Sequence, residues 1–310
     1  MERVFILNPC AGKGKEYGRL QEEIEKITRS YSGDVTVYTT KAVGDGERFV
    51  KEYCKTKGPA RFIACGGDGT LSEVLNGAIG CQGAEIGIIP AGSGNDFTRN
   101  FKERNHFYNI LGQMEGNSIP CDAIFYRTEV NGALKEGYCV NMFNIGFDCK
   151  VADTTNSIKS KTIFGGSLAY FLSILLTLVK KESTSLAIEI DGEMCHRGKL
   201  LLASVANGCY CGGGIKSNPL ASVCDGQMDI NLVQNISRLR LMGILPYYMK
   251  GTFLKLKGIR RIINLVQCKK ITVTPLNGNI RLCIDGEIAD AGKTEFSVCP
   301  NAFRLVAPWL

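Results

Sequence analysis

The residues with the clearest chemical content are Gly66-Gly67-Asp68-Gly69-Thr70, which stand between an apolar run, Arg61 to Cys65, and a helix-like stretch, Leu71 to Ile79. A strand that stops in two glycines leaves backbone N–H groups free to turn inward and lets a phosphate approach with no Cβ in the way. Asp68 adds a carboxylate beside that cradle, where it can hold a metal ion through water or orient a hydroxyl that attacks the phosphate. The same five residues also fit an ordinary strand-to-helix turn with Asp or Thr as its cap. A second cluster, Ala91-Gly92-Ser93-Gly94-Asn95-Asp96-Phe97, follows the apolar run Glu85 to Pro90, and a third, Asn8-Pro9-Cys10-Ala11-Gly12, follows Val4 to Leu7. Three glycine loops at strand ends are more than turns require. The first loop continues Lys13-Gly14-Lys15 without the spacing of a P-loop or of a dinucleotide fingerprint, so nucleotide binding needs another architecture.

The elements that must carry these loops alternate. Val4 to Leu7, Asp34 to Thr39, Arg61 to Cys65 and Glu85 to Ile89 read as strands. Helical stretches near Tyr17 to Ser30, Asp45 to Lys55 and Leu71 to Ile79 separate them. Such alternation predicts a parallel sheet with crossover helices, whose loops at the carboxyl ends of the strands converge on one crevice. From about Cys121 the pattern becomes strand-rich, with runs at 123–128, 138–146, 185–190, 200–206, 228–233, 270–274 and 280–284. Asn131-Gly132, Asp191-Gly192, Asn277-Gly278 and Asp285-Gly286 are read as hairpin turns. The second half is therefore expected to be an antiparallel β-sandwich, with helical insertions near 158–181 and 237–256.

The motifs in order resemble the soluble diacylglycerol kinase and sphingoid-base kinase family, in its bacterial lipid-kinase branch. They are Asn8-Pro9 with Gly12, Thr40 five residues before Asp45, the Gly66–Thr70 and Gly92–Phe97 loops, Asp225-Gly226 with Asp229, and Asp285-Gly286-Glu287. The resemblance covers essentially the whole chain. It implies an ATP-dependent lipid kinase acting on diacylglycerol, with a nucleotide-binding α/β domain related to NAD kinases at 1–121. Residues 301–310 return to that domain, and 122–300 form the lipid-substrate sandwich, with catalysis between the two. By the same resemblance ATP is bound by Asn8, Pro9, Gly12, Thr40, Gly66, Gly67, Asp68, Gly69, Thr70, Ser72, Ser93, Asn95 and Asp96. Glu287 is the general base, with Asp68 and Asp285 orienting hydroxyl and metal. A structural Mg²⁺ is held by Asp225 with the carbonyls of Ser222 and Gln227. Two positions depart from the family: Cys224 where many relatives carry an acid, and Ser72 where they often carry Asn. On pattern alone Ile284-Asp285-Gly286-Glu287 and its duplicate Ile190-Asp191-Gly192-Glu193 are hairpin turns, and only the family position selects the later one.

Composition frames these expectations. The chain has 310 residues, a net charge of +7, fourteen cysteines and two histidines. The chain opens Met1-Glu2-Arg3 and enters a strand at once, so the cysteines are read as reduced thiols of a cytoplasmic protein. No CxxC pair or Cys/His ligand set points to zinc. Ser167 to Val179 is the nearest approach to a membrane span and reads as a buried helix, being too short and bounded by Lys180-Lys181. Basic residues between Arg238 and Arg261 interleave with leucines and aromatics. That pattern fits contact with an anionic leaflet, where the lipid substrate resides, and equally a solvated face over a core helix. No nucleic-acid recognition motif accompanies the charge. A homodimer is compatible with the sequence. Other acceptors (sphingoid base, ceramide, NAD) and a regulator without catalysis are the alternatives to diacylglycerol kinase activity.

Overall fold

A computed structural model describes residues 1–14, 16–146 and 183–309. The expected helical insertion near 158–181, including Ser167 to Val179, lies outside the described residues. The chain divides into two compact units, Met1–Asp122 with Asn301–Leu310, and Ala123–Pro300.

Unit one is built on the strands β1 (Arg3–Leu7), β2 (Val35–Thr39), β3 (Arg61–Gly66) and β4 (Glu85–Pro90). They form a parallel sheet in the order β4-β3-β1-β2, and residues Arg304 and Leu305 add a further parallel strand beside β4. The β3 side chains are buried throughout, as a strand covered on both faces demands. Helices α1 (Tyr17–Ser30), α2 (Asp45–Thr56) and α3 (Asp68–Ala78) make the crossovers, and a short α4 (Ile110–Glu115) follows. Phe5, Leu7, Ile63, Cys65 and Ile89 of the sheet pack with Leu20 and Ile24 of α1 in one core.

Unit two is a two-layer antiparallel sandwich. Its strands are the distal part of β5 (Ser118–Val130), β6 (Ala133–Cys139), β7 (Met142–Gly146), β8 (Thr184–Ile190), β9 (Glu193–Ala206), β10 (Met228–Gln234), β11 (Ile263–Cys268), β12 (Lys270–Pro275), β13 (Ile280–Ile284), β14 (Glu287–Ala291) and the first part of β15 (Thr294–Val306). The long β9 joins the layers: its first half pairs with β8, and its second half lies between β7 and β10. One layer runs β14-β13-β7-β9-β10-β11; the other runs β9-β8-β12-β15, with β5 and β6 beyond. Phe143, Ile145, Ala203, Val205, Ile230 and Leu232 face Leu186, Ile188, Val273 and Phe296 in the shared core. The outer face of the first layer, at Leu202 and Val233, is covered by Leu241, Ile244 and Tyr248 of α5 (Arg238–Met249) and by Phe253.

Three expectations are corrected. The strand read over 138–146 is broken between Cys139 and Met142. Asn277-Gly278 is not a hairpin turn, because the strands it joins, β12 and β13, pair with other partners. The helix read over 237–256 ends at Met249, and Phe253–Lys255 and Ile259–Arg261 are 3-10 turns. The other three Asx-Gly pairs do close hairpins, each with both residues at positive φ: 52° and 79° at Asn131-Gly132, 49° and 91° at Asp191-Gly192, 46° and 98° at Asp285-Gly286.

Candidate active site

In unit one the three glycine loops meet. α3 begins at Asp68 with no side-chain cap, so the amides of its first turn are not satisfied by the helix or by a capping residue. That is an anion-binding arrangement. Asn8 braces the first loop to the second: its Oδ1 accepts from Cys10 N at 2.9 Å and its Nδ2 donates to Thr70 Oγ1 at 3.0 Å. Asp68 braces the second to the third, its Oδ1 accepting from Asp96 N at 2.8 Å and Phe97 N at 3.3 Å. A Cβ on Gly67 would lie 3.1 Å from Gly92 Cα, and one on Gly92 would overlap Gly67 Cα, so the two loops touch backbone to backbone. Gly12, at φ 58°, brings the first loop against the third, where a Cβ would sit 2.9 Å from Ala91 O. Only glycine allows these approaches.

The expected nucleotide residues thus fall into two groups. Asn8, Asp68 and Asn95 shape the loops, Asn95 at φ 51° exchanging hydrogen bonds with Gly92 N (3.0 Å) and Gly92 O (2.9 Å). Thr40 is buried and donates its hydroxyl to Leu7 O at 3.3 Å. Asp96 is buried, its carboxylate 3.4 Å from Arg99 Nε. Pro9, Gly67, Gly69 and Ser72 are half-buried, Gly66 and Thr70 are buried, and Ser93 is exposed at the tip of the third loop. What remains for a phosphate is chiefly backbone N–H, which is why glycine recurs.

Two carboxylates that the sequence reading left without a site role hold this frame. Glu73 on α3 accepts from Gly44 N (2.8 Å) and Gly46 N (2.9 Å), fixing the start of α2. Asp45 is buried and accepts from Lys41 N and Tyr38 Oη, each at 2.9 Å, and from Arg48. The Lys41 amide, then Tyr38 and Arg48, hold its carboxyl below the usual range against the opposing effect of burial.

In unit two, Asp285 and Glu287 share the β13–β14 hairpin. The Asp285 carboxylate is enclosed by the 139–142 backbone: Oδ1 accepts from Asn141 N (3.0 Å), Met142 N (2.9 Å) and Cys139 Sγ (3.0 Å), and Oδ2 from Val140 N (2.9 Å). Burial raises its pKa, and the four donors pull the other way. These contacts hold the chain where it breaks between β6 and β7 and fix the Asp285 carboxylate at the start of the hairpin that carries Glu287. Glu287 opens β14 with an exposed side chain, opposite Ile284 in register.

Asp225 accepts from Gln227 N at 3.0 Å and lies 3.4 Å from Gln267 Nε2. Asp229 is buried beside it, and its Oδ1 has no hydrogen-bond partner. Burial, and then the charge of Asp225, push the Asp229 carboxyl up to about 6. No three acidic, His or Cys side chains cluster as a metal site among the described residues. An orphaned carboxylate oxygen next to a second carboxylate nevertheless has the character of a hard-cation site. The set fits Mg²⁺ only if backbone carbonyls complete it. Asp229, a motif residue with no ligand role in the sequence reading, then belongs with Asp225, Ser222 and Gln227.

The parallel sheet with three glycine loops and the separate β-sandwich are the architecture of the diacylglycerol kinase-like and NAD kinase folds. Residues 2–125 match the diacylglycerol kinase catalytic domain, and residues 141–307 match the YegS C-terminal NAD kinase beta sandwich-like domain. The chain is 29% identical to the protein named "Probable lipid kinase YegS-like" of Chromohalobacter salexigens, over 98% of this chain and 92% of that one. It is 26% identical to a diacylglycerol kinase of Mycobacterium tuberculosis, over 98% and 94%. A crystal structure of a diacylglycerol kinase from Bacillus anthracis str. Sterne superposes with a TM-score of 0.70 at 21% identity, covering 98% of this chain and 96% of that one, and shows the shared fold. The chain belongs to this family of ATP-dependent kinases, in its bacterial lipid-kinase branch.

Proposed function

We propose that the protein transfers the γ-phosphate of ATP to the free hydroxyl of diacylglycerol, giving phosphatidic acid and ADP. The observation that carries the nucleotide half is the contact of three glycine loops around the uncapped start of α3. The acceptor half is supported by the full-length likeness to a relative named for diacylglycerol. The amides of the Gly67–Thr70 turn and of residues Ser93–Asn95 hold the phosphates, and Asn8, Asp68 and Asn95 keep those loops in place. Glu287 takes the proton of the attacking hydroxyl as its oxygen bonds to the γ-phosphorus and the bond to ADP breaks. Mg²⁺ bound with the phosphates would neutralise their charge. A second Mg²⁺ on Asp225 and Asp229 would relieve two adjacent carboxylates in unit two. Work takes place at the cytoplasmic face of a membrane, where the acceptor lies; no helix among the described residues is long and apolar enough to cross one.

The test is ADP release from ATP and Mg²⁺ with mixed micelles of diacylglycerol, sphingoid base, ceramide or monoacylglycerol, and separately with NAD. Turnover confined to diacylglycerol supports the reading. Turnover with NAD alone moves the chain to the soluble-acceptor kinases. ATP binding without turnover on any acceptor supports a regulator.

A further inference from the structure

We propose that α5 and the two 3-10 turns after it form a docking face for an anionic lipid surface. The inference deepens the lipid-kinase reading but is tested without catalysis. Its first ground is charge. Between Asp229 and Asp285 there is no acidic residue, while ten Lys and Arg occur; the chain as a whole carries +7, so the remainder is net acidic. Arg240, Lys250, Lys255, Lys257, Arg260 and Arg261 are exposed, and none is in an ion pair among the described residues. A solvated surface ordinarily mixes both signs.

The second ground is the helix itself. Leu241, Ile244 and Tyr248 point into unit two, so residues half a turn away should be polar. They are not. Leu239 is 83% exposed, Met242 53% and Tyr247 46%, and Leu254 in the next turn is 37% exposed. A helix apolar on both faces wants a second apolar phase, and here every charged residue of the segment that carries the outer apolar stripe, 238–261, is a cation. Aliphatic and aromatic side chains with Lys and Arg around them match the interfacial region of a bilayer with negative headgroups. A second copy of the chain fits poorly, because self-contact would bring the same unpaired cations together.

The experiment is co-sedimentation with vesicles of phosphatidylcholine alone or with added phosphatidylglycerol, at low and high salt. The wild-type protein is expected to bind the anionic vesicles and to release in high salt. Replacing Lys255, Lys257 and Arg260 by Gln should weaken partitioning about fivefold each, roughly a hundredfold together. Leu239→Ser with Met242→Ser should weaken it roughly tenfold each. Both variants should turn over a short-chain, water-soluble diacylglycerol as the wild type does, because none of the altered residues lies in the loops or on the hairpin. Wild-type binding that ignores vesicle charge and salt overturns the proposal, as do folded variants that bind vesicles unchanged. Variants that lose a dimer in sedimentation while keeping vesicle binding overturn it in favour of self-association. Failure of every acceptor in the turnover assay would sink the lipid-kinase reading and leave the vesicle result standing.

Discussion

Replacing Asp229 by Asn should stabilise the metal-free protein at neutral pH, and the size of the effect follows from the site. The Asp229 carboxyl is raised from 3.8 to about 6 by burial and by the neighbouring Asp225. Roughly two units at 1.36 kcal/mol each give about 3 kcal/mol. A carboxyl whose folded pKa is raised contributes its stability below pH ~4, where both states are protonated. That contribution is lost as pH rises through about 6, because the unfolded chain ionises freely while the folded one resists. Metal-free wild type should therefore fall behind Asp229→Asn between pH 4 and 7, ending roughly 6–12 °C lower in Tm for a unit of this size. Mg²⁺ should raise the wild-type Tm at pH 7.5, should act weakly below pH 6, and should leave the variant unmoved. Scanning calorimetry with and without chelator, at pH 4, 5, 6 and 7.5, measures the difference. A gap between wild type and variant that does not change with pH refutes the assignment of a buried carboxyl with a raised pKa. So does an Asn variant less stable than wild type at pH 7.5 without metal.

Other consequences follow from the same geometry. Gly92→Ala forces a Cβ into Gly67 Cα and should cost about 1–3 kcal/mol of stability, with ATP binding lost in titration calorimetry. Asp68→Asn keeps an oxygen for the Asp96 and Phe97 amides and should retain the wild-type Tm with little activity, whereas Asp68→Ala should also lose about 1.5–3 kcal/mol. Asp285→Ala abandons four donors at residues 139–142 and should destabilise by about 3 kcal/mol or more, with Asp285→Asn recovering part of it, read by denaturant unfolding. Asp45→Asn should lower Tm at pH 7, and the deficit should shrink as acid protonates the wild-type carboxylate, since a depressed pKa gives stability that is lost as pH falls through it.

Unit one was legible because its information is local. Apolar runs four to six residues long, glycines at their ends and amphipathic stretches between them dictate a parallel sheet without reference to anything distant. Helix α1 runs over Tyr17–Ser30, the residues that its spacing predicts. Unit two depends on partners far apart in sequence. The break between β6 and β7 is imposed by Asp285, about 145 residues downstream, which no periodicity near Cys139 reveals. Asn277-Gly278 has the composition of a hairpin turn but joins strands held by other neighbours. In the site, the glycines announced loops at the strand ends that approach one another closely, whereas the reason for Asn8 and Asp68 was visible only once those loops were in contact. Asp229 alternates with buried apolar residues, and its orphaned oxygen exists only in the folded state.

The most direct test of the central claim is transfer of label from γ-³²P ATP into chloroform-extractable lipid in micelles containing diacylglycerol, with Glu287→Gln beside the wild type. The account predicts labelled phosphatidic acid from the wild type and a loss of about 10²–10⁴-fold in the variant. Label that stays in the aqueous phase for every lipid while ATP binds, or a Glu287→Gln variant as active as wild type, would contradict it.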